Sequence, residues 1–358
     1  MALSTVLAAW LAVPVVAQDA IDLDAATVGP NGEPSTSVTD IPALTDEEIA
    51  QIQEGDYSAA LMWAGAGTWY NALTKGAKER FEELGIDVVA EAEAEFDPAR
   101  QQTDIETAMA LQPDIILSLP VDPVAGTQAF RPAADAGTVI VFVDNGVDNV
   151  VPGEDYASIV TGDHFEMGKK AAELLAEAIG GEGQVGFIFH DAVYYVTNNR
   201  DTYAKAALEQ LYPDIEIVAE QGFTDEGSTY EIAQAMLVQN PELDGIYVAW
   251  SAAAQGVISA LREAGKSDVK VVAYDLDATN DLDMAQCGNY YGASLDWPYE
   301  EGKVMADLAA QALLGKEVPP FVTVDAQAMT RDNLAETWST NVGVEVSDEI
   351  ASALEEDC

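Results

Sequence analysis

Basic residues are scarce in this chain: 15 Lys plus Arg stand against 63 Asp plus Glu, a formal net charge of −48 over 358 residues. That balance excludes nucleic-acid binding, because gripping a phosphate backbone depends on Lys and Arg displacing its counterions. Stable attachment to an anionic lipid surface is disfavoured on the same ground. The acids are scattered along the chain rather than clustered, which reads as a solvation coat suited to salty surroundings, where screening mutes self-repulsion. Steering of a cationic partner is the alternative reading of the same charge.

Histidine and cysteine are nearly absent, with two of each. His164 and His190 lie near neither a cysteine nor a matching histidine, so the sequence spells out no nucleophile–base pair and no metal-ligand cluster. No cofactor, metal or catalytic residue is expected. A Gly-x-Ser-x-Gly elbow and a Lys-bearing phosphate loop are missing as well. Gly65-Ala-Gly67 begins like a dinucleotide fingerprint, but Tyr70 stands where the third glycine belongs and would crowd a pyrophosphate. Paired carboxylates could serve a glycosidase, yet with so many acids such pairs arise by chance. A carbohydrate-acting enzyme therefore stays only as an alternative.

Long apolar runs are limited to one, residues 3–16. With small residues ahead of Gln18 it reads as an export signal over 1–17, too short to span a bilayer, although no Lys or Arg precedes it. Neither Cys287 nor Cys358 lies beside that cleavage point, so no lipid anchor is expected. The mature chain is expected to be exported, soluble and free of membrane insertion. In an oxidising compartment Cys287 and Cys358 could bridge and staple the C-terminal end to the second half.

What the chain does have is apolar content, 49% of residues, enough for two cores. Residues 18–56 read as an N-terminal linker with one helical patch at 45–53, where Thr45 can cap and Glu48 sits three residues on. From Tyr57 a regular alternation begins. Strand-like runs at 59–63, 88–90, 115–119 and 139–143 are separated by amphipathic helical stretches. The alternation restarts with strands at 185–189, 215–218, 245–248 and 271–274, and helices at 165–179, 200–211, 232–238 and 255–264. A strand at 291–295, a helix at 300–314 and a strand at 321–324 follow, placed to return the chain to the first half. An acidic tail with one amphipathic helix closes the sequence.

This pattern predicts an α/β protein of two doubly wound parallel-sheet lobes. One strand in each half runs into aspartate, at Asp144 and Asp275. Ligands bind beyond the carboxyl ends of such strands, so the two aspartates would face each other across a cleft. Trp63, Trp69, Tyr70, Trp250 and Trp297 also fall at predicted strand ends. Flat rings there can cover the C–H faces of a sugar while carboxylates take its hydroxyls.

Residues 57–324 resemble the periplasmic sugar-binding proteins of the ribose-binding type, which have the periplasmic binding protein type 1 fold. The resemblance is carried by Trp69-Tyr-Asn-Ala-Leu-Thr-Lys-Gly-Ala77, Val143-Asp-Asn145, Leu261-Arg-Glu-Ala-Gly-Lys-Ser-Asp268, Val271-Val-Ala-Tyr-Asp275 and Trp297-Pro-Tyr-Glu-Glu-Gly302. It implies a three-segment hinge near Thr161, Trp297 and Val324. Lobe 1 would then comprise 57–161 plus 297–324, lobe 2 would comprise 162–296 plus 325–345, and 346–358 would be an acidic tail. The ligand positions it implies are Trp63, Trp69, Tyr70, Asp144, Asn145, Asn198, Trp250, Asp275 and Asp296. Where Asn145 and Asn198 stand, ribose-type proteins carry arginine, and they carry polar side chains in place of Trp63 and Trp250. Arg200 matches a structural position. The resemblance thus implies a monomeric periplasmic protein that binds a sugar or polyol and delivers it to the permease subunits of an ABC transporter. A small cationic ligand held by aromatic faces and carboxylates, or a periplasmic sensor module, are the alternatives.

Overall fold

The computed structural model describes residues 20–358, and the expected export signal at 1–17 lies outside the described residues. The first half contains β1 (Thr36–Ser37), α1 (Asp46–Gln53), β2 (Ser58–Trp63), α2 (Thr68–Leu84), β3 (Asp87–Glu93) and α3 (Pro98–Met109). It continues with β4 (Ile115–Ser118), α4 (Pro123–Asp135), β5 (Val139–Val143) and β6 (Ser158–Gly162). The second half runs through α5 (His164–Ala178), β7 (Gly183–His190), α6 (Tyr195–Leu211), β8 (Ile215–Phe223) and α7 (Thr229–Gln239). Then come β9 (Gly245–Val248), α8 (Ser251–Ala264), β10 (Lys270–Tyr274), α9 (Ala278–Ala285) and β11 (Tyr290–Leu295). The chain closes with α10 (Pro298–Leu313), β12 (Phe321–Val324), β13 (Gln327–Thr330), α11 (Leu334–Val342) and α12 (Asp348–Leu354).

These strands form two sheets, ordered β1-β12-β6-β5-β4-β2-β3 and β13-β11-β10-β9-β7-β8. Every pairing is parallel except β11 with β13. Strands β2–β6 and β7–β11 therefore repeat one doubly wound order, with the second strand of each set outside the first and the third on its other side. In such sheets the crevice at the order reversal, beyond the strand carboxyl ends, is where ligands sit. The central strands are apolar and buried along their length, as in β4 and β5, because helices cover both faces. Acidic residues serve the helices: Asp97, Asp122, Asp163 and Asp277 each accept backbone N–H bonds at a helix start, where the helix dipole also favours negative charge.

Among the described residues, the chain crosses between the lobes at Asp163 between β6 and α5, at Asp296–Trp297 between β11 and α10 and at Asp325–Ala326 between β12 and β13, and the segment leading into β1 touches both lobes. Residues 18–56 were expected as a linker; the described part of that segment, 20–56, is instead built into the body. Ile21 and Leu23 offer carbonyls to Gln210 Nε2 and Lys169 Nζ of the second lobe, at 3.1 and 2.8 Å. Thr27 Oγ1 donates to Asp163 Oδ1 at 2.6 Å beside the hinge. Further on, β1 pairs with β12 and Ile52 is fully buried in the first lobe. The segment escaped the pattern reading because it is held mainly by polar contacts and isolated apolar anchors. Its helical patch does form as α1, with Thr45 and Glu48 making the reciprocal capping box.

The acidic tail also needs correction. Residues 346–358 include α12, which packs on α9 through buried Ile350 and Ala353. Arg331 holds the end of this segment by donating to the carbonyls of Ala353, Leu354 and Glu356. Cys287 and Cys358 are joined by a disulfide with Cα atoms 5.7 Å apart, closing a span of 71 residues. In the chain-entropy description a loop of that size stabilises the fold by about 4 kcal/mol. The Cys358→Ser protein is therefore expected to melt several degrees lower in calorimetry. An unchanged melting point would place the staple outside the cooperative unit.

Candidate functional site

The carboxyl edges of the two sheets face each other, and each presents an aspartate in the same unusual backbone state. Asp144 follows β5 with φ 61°, and Asp275 follows β10 with φ 65°. Left-handed conformations are uncommon outside glycine and concentrate where side chains are aimed for function. Here the turn points one carboxylate from each lobe into the cleft. Asp144 Oδ1 accepts from Thr161 Oγ1 at 2.8 Å. That uses the only hydroxyl hydrogen of Thr161, so His164 Nε2 donates to Thr161 at 2.6 Å and its Nδ1 accepts from Arg200 Nε at 3.4 Å. The imidazole is thereby fixed as the neutral tautomer, and burial plus the nearby guanidinium hold its pKa well below the ordinary histidine range.

Arg200, read from the sequence as structural, lies on the cleft floor and is nearly fully buried. It reaches Asp275 Oδ1 at 3.1 Å and Asp296 Oδ2 at 3.2 Å, and stands 5.1 Å from the centre of the Tyr274 ring. Asp296, on the hinge, also accepts from Trp69 Nε1 at 3.0 Å. One chain of contacts thus links α6 of the second lobe, the hinge and α2 of the first. Glu301, on the first turn of α10, completes the acid group: single oxygens of Asp144, Asp296 and Glu301 lie within 4.8 Å of one another.

Four carboxyl groups share one guanidinium in this space, and burial dominates their titration. It raises Asp144 to about 6 despite the opposing pull of Arg200. Burial, with repulsion from Asp275, raises Asp296 to about 8. Burial and then Asp296 drive Glu301 well above the ordinary carboxyl range. Asp275 is also raised by burial, but with 22% of its side chain exposed it is the least enclosed of the four.

Other expected positions fall in different places. Trp69 and Tyr70 start α2 and meet edge to face, with ring centres 5.0 Å apart. Asn145 and Asn198 line an interlobe cavity of ≈ 190 Å³ together with Asn31, Tyr194 and Tyr195. Trp63 is not a cleft residue: it is buried in the core of the first lobe, where its Nε1 donates to Thr74 Oγ1 at 2.8 Å. Trp250, half-buried just after β9, packs against His190 and Phe223 at the carboxyl ends of β7 and β8, and its Nε1 donates to Glu226. Arg200, Tyr194 and Glu301 were missed. Glu301 carried a readable signal, because it shares an i, i+4, i+7 stripe with Met305 and Leu308, an apolar helix face on which an acid is out of place.

The family described as periplasmic binding protein domain matches residues 45–317. The chain belongs to that family. Among periplasmic binding proteins it is similar to a putative rhizopine-binding protein of Rhizobium meliloti, 28% identical over 72% of this chain and 84% of the relative. A D-ribose/D-allose-binding protein of Pseudomonas aeruginosa is 27% identical over 63% of this chain and 72% of its own. A solved ABC transporter solute-binding protein from Agrobacterium vitis, bound with alpha-D-tagatopyranose, has a TM-score of 0.71. It is 25% identical, with 78% of this chain and 96% of that one covered. Among the described residues, no helix of this periplasmic binding protein is long and apolar enough to cross a membrane.

Proposed function

We propose that this chain is the solute-binding component of an ABC importer, closing its two lobes on a small sugar or polyol and presenting it to the membrane permease from the periplasm. The observation that carries this reading is the pair Asp144 and Asp275, one from each lobe, turned into the cleft by the same left-handed backbone beside Trp69 and Tyr70. Carboxylates accept hydroxyl hydrogens, the aromatic pair covers C–H faces, and Arg200 and Asn145 supply donors. Relatives named for ribose and allose, and a structural neighbour holding a ketohexose, support the substrate class. Contacts from both lobes make the ligand favour the closed arrangement, so closure follows from differential affinity. Binding rather than turnover is the task this reading gives the cleft. A quaternary ammonium group is not favoured at these carboxylates, since its nitrogen has no N–H to give to them.

Thermal shift against pentoses, hexoses and polyols tests the substrate class. A ligand at a thousand times its dissociation constant raises stability by about 4 kcal/mol. With the ligand so found, Asp144→Ala and Asp275→Ala are each expected to weaken binding about tenfold to a hundredfold, the worth of a hydrogen bond to a charged group. Both should fold normally. Unchanged affinity in both variants would move the site elsewhere.

A further inference from the structure

Glu301 stands on the inward stripe of α10 with Met305 and Leu308, all three fully buried. A charged, unpaired carboxylate in such a place is strongly destabilising, so the group either holds a proton, as burial favours in the empty cleft, or gives it up to a cationic partner. Within the protein it finds none, for neither of its carboxylate oxygens accepts a hydrogen bond. Its oxygens point into the space shared with Asp144 and Asp296, where one oxygen of each lies within 4.8 Å of the others. Arg200 pairs directly with Asp275 and Asp296 and leaves Glu301 without an ion pair of its own. Among the described residues, no basic side chain forms an ion pair with Asp144 or Glu301.

Building on the sugar or polyol reading above, we propose that the ligand is an amino sugar or amino polyol whose ammonium group seats between Asp144, Asp296 and Glu301. Three acceptors each about 2.8 Å from a tetrahedral nitrogen stand about 4.6 Å apart, a spacing the three carboxylates accommodate. An ammonium brings three N–H donors for three acceptors. The ligand's hydroxyls then serve Asn145 Nδ2 and Tyr194 Oη, two further buried polar atoms without partners in the protein. Calcium suits the group less well. It seeks about six to eight oxygens, more than the three carboxylates of this group present.

The experiment is calorimetric titration of the purified protein near neutral pH, in salt high enough to screen non-specific attraction. The probes are matched pairs: D-glucose with D-glucosamine, D-galactose with D-galactosamine, and sorbitol with its 1-amino-1-deoxy form. N-acetyl-D-glucosamine is the uncharged control, and calcium chloride is titrated alone. In at least one pair the amino member is expected to bind tenfold or more tighter than its hydroxyl counterpart. Glu301→Gln and Asp144→Asn are each expected to remove that advantage. Neutral and amino members binding equally to the wild type would overturn the proposal and leave the sugar reading standing, with no variant needed. Binding by no member of either series would overturn both. Calcium binding that Glu301→Gln abolishes would assign the cluster to a metal and overturn the amine.

Discussion

The Gly302→Val protein is expected to lose several kcal/mol of stability and all measurable ligand binding, the largest effect of any single substitution considered. Helices α2 and α10 meet at backbone contact. A Cβ at position 302 would stand 2.1 Å from the Leu73 carbonyl oxygen and 2.7 Å from the Ala77 nitrogen. From the other side, a Cβ on Gly76 would stand 1.9 Å from the Tyr299 carbonyl oxygen. Because the obstacles are main-chain atoms inside helices, no rotamer change relieves them and the helices must separate. Overpacking of this kind costs about 1–3 kcal/mol when side chains can adjust, and more when they cannot. The effect reaches the cleft directly: α2 begins with Trp69 and Tyr70, and α10 carries Glu301 one residue before Gly302. Parting the helices pulls Trp69 from Asp296. Calorimetry and ligand titration check this together, with Gly302→Ala expected to fall between. A valine variant that melts and binds like wild type would show that the helix pair is looser than described.

These two glycines lie in the very motifs that made the fold legible, Trp69 to Ala77 and Trp297 to Gly302, where helix spacing, a strand end and a turn coincide. The repeated strand–helix alternation was readable because central strands such as β5 are continuous apolar runs. Strand β6 was not, since Ser158, Thr161 and Gly162 interrupt it, although all of them are buried. Thr161 is polar there because it holds Asp144, a role that only the assembled cleft reveals. Strand β1 is two residues long, and its pairing with β12 is a tertiary fact with no local signature. Asp144 and Asp275 could be found from strand ends alone. Trp63 also sits at a strand end, but it faces the α2 side and the core. Position along a strand was legible and facing was not. Glu301 failed differently: amid 63 acids its misplacement on an apolar helix face was easily passed over.

Raising the pH from about 5 to about 9 at constant salt is expected to lower the melting point and swing the ligand-free lobes apart. The groups facing one another are Asp144 after β5, Glu301 on α10, Asp296 on the hinge and Asp275 after β10, with Tyr194 just before α6, Arg200 from α6 and His164 from α5. Burial raises Asp144 to about 6 and Asp296 to about 8, against an ordinary aspartate value of about 4 in the unfolded chain. A raised carboxyl pKa means that the folded, closed protein holds protons the unfolded chain has released. Stability from these groups is therefore complete below about pH 4 and is lost as pH climbs through 6 and then 8. Asp201, raised to about 7 by burial inside the second lobe, adds to the fall within the same window. Each proton so held is worth roughly 1 kcal/mol per pH unit, so a drop of several degrees is expected across the range. Opening the cleft rehydrates Asp144, Asp296 and Glu301 and relieves their mutual repulsion, whereas Asp201 gains nothing from it. Small-angle scattering therefore separates the two contributions. The radius of gyration should rise with pH in wild type and rise much less in Asp296→Asn, while the share of the thermal slope due to Asp201 persists. A radius independent of pH in wild type would mean that the cleft acids keep their protons, or a cationic partner, throughout. The acid cluster would then hold the lobes together instead of prising them apart.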